Sequence, residues 1–157
     1  MALLSFKDVG TLNDQQLAGT TTGKAVIPIG FKTPLELDTE NNSIFKMHYN
    51  LGDQITDNLR NLILTNRGER LGLYDFGANI RPLLTEYANK DAFDQEAMKR
   101  IKTAVASYMP FVELIGYESR ADRRENVYTG IIKLLIAYRV PNAGLQETLM
   151  EVDMYIV

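Results

Sequence analysis

The sequence has no cysteine, no tryptophan and a single histidine, His48. Lack of cysteine excludes disulfides, thiolate metal sites and thiol chemistry. It also fits, without requiring, synthesis in a reducing compartment. One histidine cannot form a cluster, so a metal would need a carboxylate-only or mixed site. No metal or other cofactor is expected. Lysine and arginine number 17 against 20 aspartates and glutamates, a formal net charge of -3. That balance gives no global electrostatic reason to bind nucleic acid, although a local basic patch acts through its own field. No stretch approaches the roughly 18 apolar residues that a spanning helix needs. The longest apolar tract, Ile131–Val140, contains Lys133 and Arg139. The apolar run at Met1–Phe6 is too short for a signal peptide and is interrupted by Lys7 and Asp8. The expectation is a soluble, unsecreted chain with no membrane or nucleic-acid partner.

What is present suits one ordinary domain: 157 residues, 45% of them hydrophobic. Residues 1–49 differ from the rest. Val9–Lys24 mixes Gly10, Gly19 and Gly23 with Thr11, Thr20, Thr21, Thr22 and Asn13, a composition of turns and extended chain. Val26–Ile29 reads as a short edge strand, because Pro28 removes a ladder donor. Phe31, Leu35, Leu37, Ile44, Phe45, Met47 and Tyr49 are large apolar anchors beyond it. The segment reads as an extended arm that wraps its own domain or a neighbour. A free monomer gains little by ordering it, at about 1–2 kcal/mol of backbone entropy per residue.

Residues 50–157 read as an α+β domain, with helices packed on a small antiparallel sheet. Asn50 caps a first helix, with Asp53 as an acidic capping-box partner. Leu51, Ile55, Leu59 and Leu62/Ile63 recur at helical spacing to about Asn66, where Gly68 is a C-cap neighbour. A short helix spans Ile80–Tyr87, with Pro82 in its first turn. A third spans Asp91–Tyr108, with Phe93, Ala97, Ile101, Ala104/Val105 and Tyr108 as its stripe and Glu96/Arg100 as an i,i+4 pair. Pro110 ends it. The period then becomes two. Strands are expected at Phe111–Tyr117, Val127–Val140 and Thr148–Val157, with turns at Asp122–Asn126 and Pro141–Gly144. Ile132, Leu134, Ile136, Tyr138 and Val140 should face inward, as should Met150, Val152, Met154 and Ile156. Lys133 and Arg139 should face Glu151 and Asp153 on the outer side.

Catalytic patterns are weak. Glu69 and Asp75 share one connection, and two carboxyls could divide the roles of glycoside hydrolysis. Loop spacing sets no such geometry, and the favoured alternative is that they pair with Arg67, Arg70 or Arg81 or bond loop backbone. His48 lies between bulky apolar residues, and no glycine-flanked serine elbow exists. It reads as a surface or interface histidine. Gly68–Gly72 and Thr22-Gly23-Lys24 lack phosphate-loop spacing. Arg120, Arg123 and Arg124 are interleaved with Glu118, Asp122 and Glu125, which suits a solvated or protein-binding hairpin. The informative feature is Arg67–Asn79. It combines three glycines with Leu71, Leu73, Tyr74, Phe76 and several charges. Glycine permits tight turns, and aromatic and arginine side chains are common interface anchors.

Leu59–Arg70, followed by Asp75-Phe76-Gly77, resembles the signature of the small lysozyme-like baseplate wedge family of contractile-tailed phages and type VI secretion baseplates. The resemblance runs from about Asn50 to the end of the chain. It implies a non-enzymatic structural subunit, "lysozyme-like" being a historical label. It also implies a place in the tail baseplate of a virion, assembled in the host cytoplasm. The implied partners are the helical core bundle of larger wedge proteins and the first ring of contractile sheath, which would use Val127–Val140 or Thr148–Val157 as a strand platform. Residues 1–49 would reach tube-proximal neighbours. Expected interface residues are Arg67, Glu69, Arg70, Asp75, Phe76, Met109, Pro110 and Phe111. Many members carry Glu-Pro-Arg after the long helix; here Met109-Pro110-Phe111 stands in its place, so docking there must be apolar, or Glu113, Glu118 or Arg120 must supply the charge. Two other readings stay open. One is a cell-wall glycosidase using Glu69 and Asp75; the other is a stand-alone regulatory protein-binding module.

Overall fold

The structure, a computed structural model, describes residues 27–38, 44–86, 90–122 and 131–155. The domain is α+β, as expected. Chain order is β1 (Gly30–Phe31), β2 (Met47–His48), α1 (Leu51–Leu64), α2 (Leu83–Glu86), α3 (Lys90–Tyr108), β3 (Glu113–Asp122), β4 (Ile131–Val140) and β5 (Leu145–Tyr155). Strands β1 and β2 pair antiparallel, and β3-β4-β5 form a second antiparallel sheet with β4 at its centre.

Helix α1 begins where Asn50 Oδ1 accepts the Gly52 N–H at 2.9 Å. The cap therefore uses Gly52, not the reciprocal box expected with Asp53. The helix ends at Leu64, slightly before the expected stop, because Thr65 turns extended (φ -81°, ψ 133°) and Gly68 serves the following turn. Helix α2 is a single turn rather than the expected Ile80–Tyr87. Pro82 brings no N–H, and the chain from Ile80 to Thr85 winds with i→i+3 bonds (Leu83 N to Ile80 O, 2.9 Å; Leu84 N to Arg81 O, 3.1 Å). Tyr87 lies outside the described residues. On α3, Phe93, Ala97, Ile101, Ala104 and Val105 are buried, and Arg100 bonds Glu96 at 3.0 Å.

Helices α1 and α3 pack on one face of the larger sheet. Leu59, Leu62, Ile63, Ile80 and Leu83 meet Leu134, Ile136, Tyr138, Met150 and Val152 in one apolar core. Each fully buried aliphatic side chain there contributes about 1.5–3 kcal/mol. Polar groups that cross between helices and sheet are paired: Tyr138 Oη lies 2.7 Å from Thr56 Oγ1, and Tyr117 Oη donates to Asp94 Oδ1 at 3.3 Å. On the outer face Lys133 Nζ meets Glu151 Oε1 at 2.8 Å, the cross-strand pairing expected between β4 and β5. Arg139 instead pairs with Glu113 of β3 at 2.6 Å.

Two strand starts differ from expectation. Phe111 sits in a turn, with the Val112 N–H bonded to Met109 O at 2.9 Å, and β3 starts at Glu113 and runs on to Asp122. Strand β5 starts earlier, at Leu145, after Gly144 closes the turn at φ 66°. Strand β4 is described from Ile131 to Val140, and the expected start at Val127 lies outside the described residues. Residues 123–130, with Arg123 and Arg124, lie outside the described residues, as do Ile156 and Val157.

The arm also departs from the expected pattern. Its strand is Gly30–Phe31; Ile27–Ile29 of the expected strand precede it and are not part of a strand, and Val26 lies outside the described residues. A bridge between Leu37 and Phe45 extends the pairing. Leu37 and Ile44 are 69% and 75% exposed, so these apolar residues do not anchor the arm to its own domain. A polar locus does. Asp57 of α1 is buried, and its Oδ2 accepts the Thr33 N–H at 2.9 Å and lies 2.7 Å from His48 Nε2. Its Oδ1 accepts from Arg60 at 2.8 Å. Asn61 adds a bond to Thr33 Oγ1 at 3.1 Å. Burial alone would raise the Asp57 pKa; the bonds from Thr33 and His48, with the His48 and Arg60 charges, outweigh it and hold the carboxyl below its ordinary value. His48 is thus a half-buried tether between arm and helix, not a surface histidine.

Candidate functional site: a groove between the glycine-marked loop and the end of the long helix

Residues 67–79 form an ordered loop held by its own backbone. The Gly68 N–H bonds Tyr74 O at 2.8 Å, closing the loop's neck. Leu73 N–H bonds Arg70 O at 3.2 Å across a turn in which Gly72 takes φ 78°. The exit is lashed to the end of α1: Ala78 N–H to Leu62 O at 2.9 Å, and Asn79 N–H to Thr65 O at 3.3 Å. Gly77 is required there. Its φ is 114°, and a Cβ would run into the Thr65 carbonyl. Arg100 of α3 fastens the same point from outside, donating to Asn79 O at 2.8 Å.

This bracing turns Phe76 toward the end of α3. Its ring meets Tyr108 edge to face, with centroids 5.0 Å apart and planes at 66°. The Arg70 guanidinium lies over the same ring, 4.4 Å from its centroid. The aromatic contact is worth about 0.5–1.5 kcal/mol beyond area burial. The cation–π contact adds about 0.5–1 kcal/mol at an exposed site. Chain reversal at Met109-Pro110-Phe111 then brings that segment alongside. The result is one open groove of about 770 Å³, walled by Asn58, Asn61, Leu62 and Thr65 of α1 and its end, by Glu69, Arg70, Leu73 and Phe76 of the loop, and by Tyr108, Met109 and Phe111.

Five of the residues singled out from sequence therefore converge: Glu69, Arg70, Phe76, Met109 and Phe111 line this one groove. Arg67, Asp75 and Pro110 are exposed around it without lining it. Sequence reasoning missed Tyr108, read only as core, and the polar wall of Asn58 and Asn61. The helical period puts Asn58 one turn before Leu62, and Asn61 next to it, at the edge of the buried stripe, so the signal was present in α1. Leu71 stands at the loop tip, 93% exposed.

Of the two carboxylates considered for hydrolysis, Glu69 has its oxygens engaged within the loop. Glu69 folds back on Asn66: Oε2 accepts the Asn66 N–H at 2.8 Å and Oε1 accepts from Asn66 Nδ2 at 2.7 Å. The backbone bond first, then the side-chain bond and the Arg81 charge, hold the Glu69 carboxyl below its ordinary value against a small opposing effect of burial. A general acid needs the opposite shift. Among the described residues, no group of three His, Cys, Asp or Glu could hold a metal. No described helix is long and apolar enough to cross a membrane.

Compared by sequence, the chain matches no protein-family profile and no curated protein. Solved structures do match in fold. A Geobacter sulfurreducens protein provisionally described as a tail lysozyme superposes with a TM-score of 0.55 at 24% identity, covering 69% of this chain and 93% of that one. A chain of the anti-feeding prophage baseplate superposes with a TM-score of 0.56 at 16% identity, covering 70% of this chain and 82% of that one.

Proposed function

We propose that this chain, which has the fold of the lysozyme-like baseplate proteins of contractile systems, is a structural baseplate component and not an enzyme. In the finer reading it is a wedge subunit that links the wedge scaffold to the first ring of sheath. The observation that carries this is the groove. The two segments that the family resemblance marks for docking are 30 or so residues apart in sequence, yet they form one braced, partly aromatic cleft on a fold shared with a baseplate chain. Loop residues fixed by backbone bonds lose little entropy on binding, which is what a permanent joint requires.

The sheath side of the reading needs a free strand edge. β4 is flanked on both sides, so it cannot serve, and Val127–Val140 is set aside as a platform. Both edge strands carry one register shift against β4, between Leu114 and Gly116 on β3 and between Leu145 and Thr148 on β5. Strand β5 then keeps even register from Thr148 to Tyr155 and is the edge proposed for strand addition, where main-chain bonds supply affinity. Leu149 and Tyr155 are exposed along it. The arm's uncovered apolar residues, Leu35, Leu37 and Ile44, suit contact with a tube-proximal or wedge neighbour in the assembled particle.

The test is to purify tail-like particles from cells carrying the gene with and without a deletion of it. The reading expects the chain in the particle at fixed copy number, and sheathless or unassembled baseplates without it. Purified chain should leave peptidoglycan intact. Normal particles lacking the chain, or turnover abolished by Glu69→Gln, would overturn it.

A further inference from the structure

We propose that Arg70, stacked on Phe76, is a preorganised receptor for a carboxylate, and that the protein segment filling the groove presents an Asp or Glu side chain flanked by apolar ones. The inference rests on the docking reading above and adds the chemistry of the occupant.

Three observations lead to it. First, the guanidinium is already positioned. Its carbon lies 4.4 Å over the Phe76 ring, and that ring is held by Tyr108. Contact with the ring engages the cation's charge and none of its hydrogen-bonding capacity, since a ring face accepts no conventional N–H bond. A planar fork of this kind matches a carboxylate through two parallel bonds.

Second, no ion pair takes the donors among the described residues. The ion-paired arginines among the described residues are Arg60, Arg100, Arg120 and Arg139. Arg70 is exposed and is not one of them. Its neighbour Glu69 keeps its charge, but both oxygens are occupied by Asn66 donors. Arg67 and Arg81 are exposed nearby, also without an ion pair among the described residues, so the local field outweighs exposed Asp75.

Third, the charged side chains that follow Met109-Pro110-Phe111 are engaged elsewhere among the described residues. Glu113 is closed on Arg139 at 2.6 Å, and Glu118 on Arg120 at 2.9 Å, both on the sheet. Apolar Leu73, Met109 and Phe111 beside Arg70 call for apolar side chains on the occupant, which a phosphate backbone does not offer.

The experiment uses Arg70→Gln, Arg70→Lys and Arg70→Glu in the full chain, with Lys99→Gln on the exposed face of α3 as control. Thermal melting checks that each variant folds, and particle incorporation is measured. Arg70→Gln should lower incorporation about ten-fold, Arg70→Glu further, and Arg70→Lys less, since it keeps charge without the fork. Selected suppressors of Arg70→Glu should be Asp or Glu to Lys or Arg changes in a baseplate protein. Incorporation of folded Arg70→Glu at wild-type copy number would overturn the proposal and leave the baseplate reading standing. So would a retained defect whose suppressors only restore melting of this chain. Absence of the wild-type chain from tail-like particles would instead remove the baseplate reading and this inference together.

Discussion

Phe76→Ala separates a braced groove from an incidental crease. The ring is half-buried, packs against the core, meets Tyr108 edge to face and carries the Arg70 guanidinium. Truncating a fully buried phenylalanine costs about 3–5 kcal/mol; half burial scales that to roughly 2 kcal/mol. Loss of the aromatic pair adds about 1 kcal/mol, and loss of the cation–π contact about 0.5 kcal/mol. The expected total is about 2–4 kcal/mol, equivalent to a fall in Tm of about 5–12 °C for a chain of this size. Phe76→Leu keeps apolar volume and should cost about 1–2 kcal/mol. Arg70→Gln touches only the stacked cation and should cost under about 1 kcal/mol. Circular dichroism melts of the full chain at neutral pH, with urea titration for reversibility, give the comparison. Particle incorporation should fall in the order of ring loss. A Phe76→Ala protein that melts with wild type and assembles normally would refute the reasoning, as would an Arg70→Gln change costing more than Phe76→Ala.

Gly77→Ala should cost on the order of 2–4 kcal/mol, because positive φ and the Thr65 carbonyl both oppose a Cβ there; Gly72→Ala meets only the φ penalty and should cost about 1–2 kcal/mol by the same melts. Asp57→Asn should cost about 2–3 kcal/mol and speed amide exchange at Ile29, Lys32 and Lys46, whose bonds hold the arm together, with little change in β4. The Asp57 pKa is depressed in the fold, so its stabilisation is complete above the ordinary value of 3.8 and is lost as pH falls through the folded value; Asp57→Asn should flatten acid denaturation below about pH 4. Leu71→Ser removes no buried contact and should shift stability by under about 0.5 kcal/mol, yet lower incorporation if the loop tip enters a partner.

Local periodicity made much of the fold legible. The stripe Ile55, Leu59, Leu62/Ile63 and the alternation Leu134, Ile136, Tyr138, Val140 each name a face, and those faces are buried. Boundaries were less legible where backbone chemistry decides them: Thr65 leaving the helix, Pro82 forcing i→i+3 bonds, Phe111 taken into a turn. Strand order was not legible, since alternation is the same in a central and an edge strand; only pairing shows that β4 is enclosed. The arm misled because apolar residues suggested hydrophobic anchoring, whereas Asp57 and His48 provide a polar tether that no periodicity announces. The groove lies between these cases. Its loop was recognisable by composition and its second wall by resemblance, but their meeting depends on Gly77 and Arg100 folding the loop back onto α1 and α3.

The most direct test of the structural reading is cryo-electron microscopy of the assembled tail or injection particle at side-chain resolution. The account predicts this chain in the baseplate beside the tube, with a partner segment in the groove against Phe76, Met109 and Phe111, a carboxylate on Arg70, and a sheath strand added to β5. A particle complete in baseplate and sheath with no density for this chain, or with the chain present and its groove facing solvent, would contradict it.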